Sequence, residues 1–179
     1  SDKDLSQFRL WYSQAGTPTV DVISAWDART GTCKLTLSQL TPATPGQTDK
    51  APMHIPVRIG ATSAHGEALA FNVADCDGAP QLQHTLELRA ASETFALTGF
   101  TKAPQVSVLR GFSAPVKIEY PRSTAALAFA LANDADEFNR WDAGQTLLQT
   151  VLLDNVRRQQ QGADMDCPPA LEQAFEHLL

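Results

Sequence analysis

The apolar positions of this chain follow one rhythm up to about Tyr120 and a different one after it. In the first stretch, short runs alternate or stay apolar and are broken by turn residues, the pattern of half-buried strands. Residues 8–12 (Phe-Arg-Leu-Trp-Tyr) are predicted as a strand that Gly16-Thr17-Pro18 interrupts. Residues 19–25 carry Val20, Val22 and Ile23, and residues 33–40 put Cys33, Leu35 and Leu37 on one face, so the two segments read as a hairpin about the turn 27–31. Pro42, Pro45 and Pro52 have no N–H for a ladder, which makes 41–52 a loop. Further strands are expected at 55–59, with Pro56 restricting its start to an edge or entry position, and at 71–73, 82–88, 93–97, 106–109 and 116–120. Short strands about ten residues apart between Gly, Pro and Asp turns specify an antiparallel sandwich.

Beyond Tyr120 the period becomes helical. Ser123 is placed to cap a helix over 124–132, where Leu127, Phe129 and Leu131 alternate as in a strand but five alanines in eight residues favour helix. Asp134 with Glu137 three residues on forms a capping-box pattern for a long helix reaching Gln161. Its stripe of Trp141, Leu148, Val151, Leu152 and Val156 is expected to pack, with Trp141 a core residue, and Leu147 and Leu153 widen the stripe beyond one face. Gly162 ends this helix, and Pro168-Pro169 opens a third one that is still amphipathic at Leu179. The expected division is therefore a sandwich over 1–121 and the first helices of a truncated helical domain over 122–179. Leu147, Leu153, Phe175, Leu178 and Leu179 are expected to face further helices and, without them, to support weak self-association.

Bulk properties narrow the function classes. The chain has 179 residues, 43% hydrophobic and 19% charged, enough to bury a core without disulfides or metals. A net charge of -6 with no basic run argues against a nucleic-acid partner, and no stretch approaches the roughly 20 apolar residues that span a bilayer. Cys33, Cys76 and Cys167 are odd in number and widely spaced, which suits free thiols in the cytoplasm better than a disulfide framework.

No constellation for chemistry emerges. His54, His65, His84 and His177 include no i, i+4 pair and no His-Glu-x-x-His. Asp75-Cys76-Asp77-Gly78 opens like a calcium loop, but Leu86 occupies the twelfth position where a Glu is required, so it is read as a turn. Gly111-Phe112-Ser113-Ala114-Pro115 imitates a nucleophile elbow, with Pro115 in place of the second glycine and a strand where the helix belongs. Asp134, Asp136, Glu137 and Asp142 beside Arg140 are read as acids at a helix start rather than an acid/base pair. Trp11 is expected in the core; Trp26, at a strand end, is a poor sugar platform alone. No catalytic, metal-binding or substrate-binding residue is assigned.

Several runs resemble the M1 zinc aminopeptidases of the bacterial aminopeptidase N type. Leu10-Trp11-Tyr12-Ser13-Gln14-Ala15-Gly16-Thr17-Pro18 is similar to the opening of that family's third domain, as are residues 37–45 and Pro52-Met53-His54-Ile55-Pro56. Residues 112–120 look like its last strand, and Phe138-Asn139-Arg140-Trp141-Asp142-Ala143-Gly144-Gln145 resembles the start of its helical fourth domain. These runs occur in family order over nearly the whole chain. The loop 60–69 and Asn133 depart from the family's pattern. The resemblance implies an immunoglobulin-like sandwich followed by a few helices. It implies a parent enzyme that removes N-terminal residues from peptides with zinc held in another domain, this segment binding none. The segment would join the catalytic domain to the helical domain that closes the substrate chamber. The rival reading is a free-standing ligand- or carbohydrate-binding sandwich module.

Overall fold

A computed structural model of the chain describes residues 4–76 and 78–178, without the side chains of 177 and 178. Asp77, Leu179 and the side chains of His177 and Leu178, all invoked above, lie outside the described residues. The chain divides into two compact units, one running up to Ala64 and again over Ala68–Pro121, the other Arg122–Leu179 with His65–Glu67.

The first unit is the expected sandwich. Its strands are β1 (Thr19–Asp27), β2 (Thr32–Leu40), β3 (Ile55–Thr62), β4 (Asn72–Val73), β5 (Gln83–Leu88), β6 (Ser92–Thr98), β7 (Gln105–Val108) and β8 (Lys117–Glu119). One sheet has the order β4-β6-β2-β1-β8, the other β5-β3-β7. The β1–β2 hairpin pairs in unbroken antiparallel register from Thr19↔Leu40 to Asp27↔Thr32. Strand alternation places Val20, Val22, Leu35 and Leu37 from one sheet and Ile55, Val57, Ile59, Leu86 and Leu88 from the other in the core. One pairing departs from the antiparallel expectation: β8 runs parallel to β1, Val20 opposite Ile118.

Residues 8–12 are not a strand. They lie in a helical turn that continues into the short helix α1 (Leu10–Ser13), stabilised by side chains instead of a ladder. Trp11 donates its indole N–H to the His54 carbonyl at 2.9 Å, Gln7 donates to the Pro52 and Arg89 carbonyls, and Gln14 holds both the N–H and the C=O of Ala51. Trp11 is accordingly half-buried with a satisfied indole rather than a core residue.

Gln39 and Arg110 are polar side chains buried in the sandwich. Gln39 is buried, accepts from the Met53 N–H at 2.7 Å and donates to the Met53 and Ala90 carbonyls. Arg110, 3% exposed, lies over Gly60 in the second half of β3, where an added Cβ would stand 2.8 Å from the guanidinium Nε. The turn carrying Arg110 takes left-handed backbone at Leu109 and Phe112.

The second unit holds α2 (Thr124–Asn133), α3 (Glu137–Gln160) and α4 (Pro169–Leu178). Ser123 caps α2, its Oγ accepting from the Ala126 N–H. The cap of α3 is Asp136, not Asp134: Asp136 Oδ1 accepts from the Asn139 N–H, while Asp134 Oδ1 accepts from the Asp136 N–H and shapes the turn before it. Gly162 closes α3 with φ of 73°, the Ala163 N–H returning to the Arg158 carbonyl as in a Schellman ending.

The packed face of α3 also differs from the expected stripe. Ala143 and Leu147 are fully buried with Leu127, Leu131, Leu171 and Ala174, whereas Trp141 is 60% exposed and touches Phe138. Leu147, expected to face outward, is therefore a core residue. Close helix approach explains both: a Cβ on Gly144 would meet Leu131 Cδ1 at 3.1 Å, so only small residues fit at that crossing and the large ring is turned out.

Candidate functional site

The residues with chemical potential divide into those that serve the fold and one pair that does not. Ser113, the centre of the imitation elbow, donates its hydroxyl hydrogen to the Pro56 carbonyl at 3.0 Å and accepts from the Arg58 N–H at 2.9 Å. It substitutes for a strand partner where β7, paired with β3 only from Ile59 onward, does not reach. A hydroxyl committed on both sides in this way is a structural clip, and Pro56 is tolerated because this part of β3 lacks a second neighbour.

The acids at the start of α3 do not form a pair for proton transfer. Asp134 and Asp136 are engaged by backbone N–H groups, and Asp142 faces Arg122 at 3.6 Å. Glu137 lies in the first turn of α3, where a carboxylate complements the helix dipole.

Among the tryptophans, Trp26 packs edge-on against Phe100, which stacks on Phe71 inside the sandwich. Trp141 is exposed on the helical unit, beside Phe138.

The histidines are dispersed. His54 Nε2 stands 3.7 Å from Glu87, a carboxylate already held by Arg89 at 2.7 Å. His65 belongs with the helical unit. Among the described residues no three His, Cys, Asp or Glu side chains gather in a metal-binding group.

His84 stands apart because its Nε2 is 4.0 Å from Cys76 Sγ. The bridge between Phe71 and Gln81 folds the turn back so that Cys76 comes to lie beside β5. Together they border a cavity of about 500 Å³ lined also by Val73, Asp75, Glu87 and Phe95. In the sequence the histidine and the cysteine belong to no common motif. The signal that joins them is the turn at Gly78-Ala79-Pro80, which reverses the chain between two residues eight positions apart.

Of the other thiols, Cys33 is buried and Cys167 is exposed. Burial pushes the Cys33 thiol above its usual range. Partial desolvation, aided by the Glu172 and Asp166 carboxylates, does the same for Cys167. All three cysteines are free.

Comparison with known proteins places this architecture. Residues 16–121 match the family model described as domain of unknown function DUF3458, Ig-like fold, and residues 124–179 match DUF3458_C, ARM repeats. Aminopeptidase N of Escherichia coli (strain K12) is 39% identical over 179 residues, all of this chain and 20% of its own length. Aminopeptidase N of Haemophilus influenzae is 36% identical over 178 residues, 98% of this chain and 20% of its own. That of Caulobacter vibrioides is 40% identical over 153 residues, 86% of this chain and 16% of its own. The chain thus spans about a fifth of the length of the first two curated relatives. A crystal structure of Legionella pneumophila aminopeptidase A in complex with aspartic acid superposes with a TM-score of 0.77 over 99% of this chain and 18% of the other, at 22% identity, a likeness of fold. The chain belongs to the DUF3458 family, an Ig-like domain followed by an ARM-repeat region, and is homologous to one segment of bacterial aminopeptidase N.

Proposed function

We propose that this chain is a non-catalytic structural segment of a cytoplasmic M1 zinc aminopeptidase, joining the catalytic domain to the helical domain that closes the substrate chamber. The observation that carries this reading is end-to-end alignment of the chain with only about a fifth of proteins named aminopeptidase N. In this reading residues 1–121 are the connecting sandwich and 122–179 the first helices of a longer helical domain; the family models, ending at 121 and starting at 124, support that boundary. Zinc and the acid/base groups that hydrolyse the N-terminal peptide bond are supplied by another domain, and no residue of this segment is assigned to them. Three free thiols support a reducing compartment.

Several features favour a rigid spacer. Ser113 and Gln39 use polar side chains to tie loops to strands, which limits hinge motion within the sandwich. Outside such a protein the helical unit leaves Leu152, Leu153 and Phe175 exposed, and weak self-association through them is part of the proposal.

The test is a chimera in which this chain replaces its counterpart in the Escherichia coli aminopeptidase N. Retained hydrolysis of an aminoacyl chromogenic substrate, with loss on deleting the segment, is expected. Full activity of the deletion protein would overturn the role. The isolated chain should neither hydrolyse the substrate nor bind zinc stoichiometrically, and turnover by it would overturn the non-catalytic assignment.

A further inference from the structure

Cys76 and His84 are used by neither the core nor the proposed spacer role. Cys76 is exposed, His84 is half-buried, and Sγ and Nε2 lie 4.0 Å apart at the border of the cavity. A thiol with an imidazole in reach has a local acceptor for its proton, the arrangement that makes a cysteine nucleophilic.

We propose that Cys76 is a covalent modification site, activated by His84, that takes up small-molecule disulfides as mixed disulfides. His84, in the tautomer with Nε2 unprotonated, accepts the Cys76 proton. The thiolate attacks one sulfur of the disulfide, a new S–S bond forms and the old one breaks. The electron pair departs with the second sulfur, and that thiolate takes the proton from the imidazolium. One disulfide and one protein thiol become one mixed disulfide and one small thiol, so the exchange balances without another oxidant.

The surroundings fit that chemistry. A cavity of about 500 Å³ has room for the attached group, and Val73 and Phe95 give it apolar walls. Asp75 from the turn and Glu87 from β5 also line the cavity, the Glu87 carboxylate being held by Arg89, and β6 contributes the uncharged Thr94, Phe95 and Ala96. Of the competing thiols, Cys33 is buried, and Cys167, exposed beside Glu172 and Asp166, is the reference for a thiol among carboxylates.

The experiment treats the whole chain with an aromatic disulfide reagent and follows each cysteine by peptide mass spectrometry across pH. Near pH 7, Cys76 should react about tenfold faster than Cys167, and His84→Gln should slow Cys76 by about the same factor. Above about pH 9.5 the variant and the wild type should converge, because solvent then removes the thiol proton. Equal rates for Cys76 and Cys167, or a pH profile of Cys76 unmoved by His84→Gln, would overturn the proposal. Cys33, unreactive while the sandwich is intact, reports folding in each sample. If His84→Gln unfolds the chain, the ratio of Cys76 to Cys167 in the wild type still decides.

Discussion

Arg110 lies across Gly60, its guanidinium occupying the space where any other residue on β3 would carry a side chain. The chain turn that delivers Arg110 holds Leu109 and Phe112 in left-handed backbone, so the arginine has little freedom to retreat. Gly60→Ala should therefore cost about 1–3 kcal/mol, the range of overpacked cores. Chemical denaturation of Gly60→Ala, Arg110→Ala and the double variant checks this. A double variant more stable than the sum of the two single losses is expected, and strict additivity would show that the two residues do not collide.

Gln39 satisfies one backbone N–H and two carbonyls with a buried side chain. Gln39→Leu keeps the volume roughly and removes all three hydrogen bonds, so unfolding free energy should fall by about 2–4 kcal/mol. A loss below about 0.5 kcal/mol in denaturant titration would mean that water replaces the amide.

On α3 the order of sensitivity should follow burial rather than side-chain size. Leu147→Ala is expected to lose about 2–5 kcal/mol and Trp141→Ala less than about 1 kcal/mol. Thermal melting of the two variants checks the assignment of the packed face, which a larger Trp141 effect would reverse.

Cys33 gives the sandwich an alkaline limit. Its thiol, carried on β2, is buried inside the sandwich, and that burial pushes it above the ordinary value of 9.0. A group whose folded value is raised contributes stability fully present below the unfolded value and lost as pH rises toward the folded one. Stability should thus decline above about pH 9, and Cys33→Ala should flatten that decline relative to wild type in denaturation curves at several pH values. Parallel curves for the two proteins would assign the alkaline loss to other groups.

Self-association of the separate chain should be weak and helical. Sedimentation at rising concentration is expected to show a dimer that Leu153→Glu removes, since Leu153 and Leu152 are exposed side by side on α3. A monomer at all concentrations would withdraw that part of the proposal.

The strands were legible because alternation of Val20-Val22, Leu35-Leu37 and Ile55-Val57-Ile59 is a local property that the sheet then uses unchanged. The segment 8–12 was misread for the opposite reason: it is anchored by Trp11, Gln7 and Gln14 to carbonyls more than thirty residues away, and no local pattern reports that. Trp141 misled because hydrophobicity alone marks a face as apolar, whereas the helix crossing was chosen by the smallness of Ala143 and Gly144. The cap at Asp136 was two residues from the expected one, since Asp134 and Asp136 are chemically equivalent and only the turn between them distinguishes their roles. Ser113 and the Cys76–His84 pair depend on strand pairing and chain reversal, relations that exist only after the sheet has formed.

The parallel pairing of β1 and β8 has a mechanical meaning. The chain enters the sheet at Thr19 and leaves it at Glu119, and the Lys117 N–H is bonded to the Pro18 carbonyl beside that entry. Tension applied at the two ends draws β1 backward and β8 forward along a common axis. The ladder between them is then loaded in shear, its hydrogen bonds sharing the force, instead of being peeled apart one at a time. A stretched polypeptide would find this strand pair a tougher clamp than an antiparallel hairpin of the same length pulled from its open end.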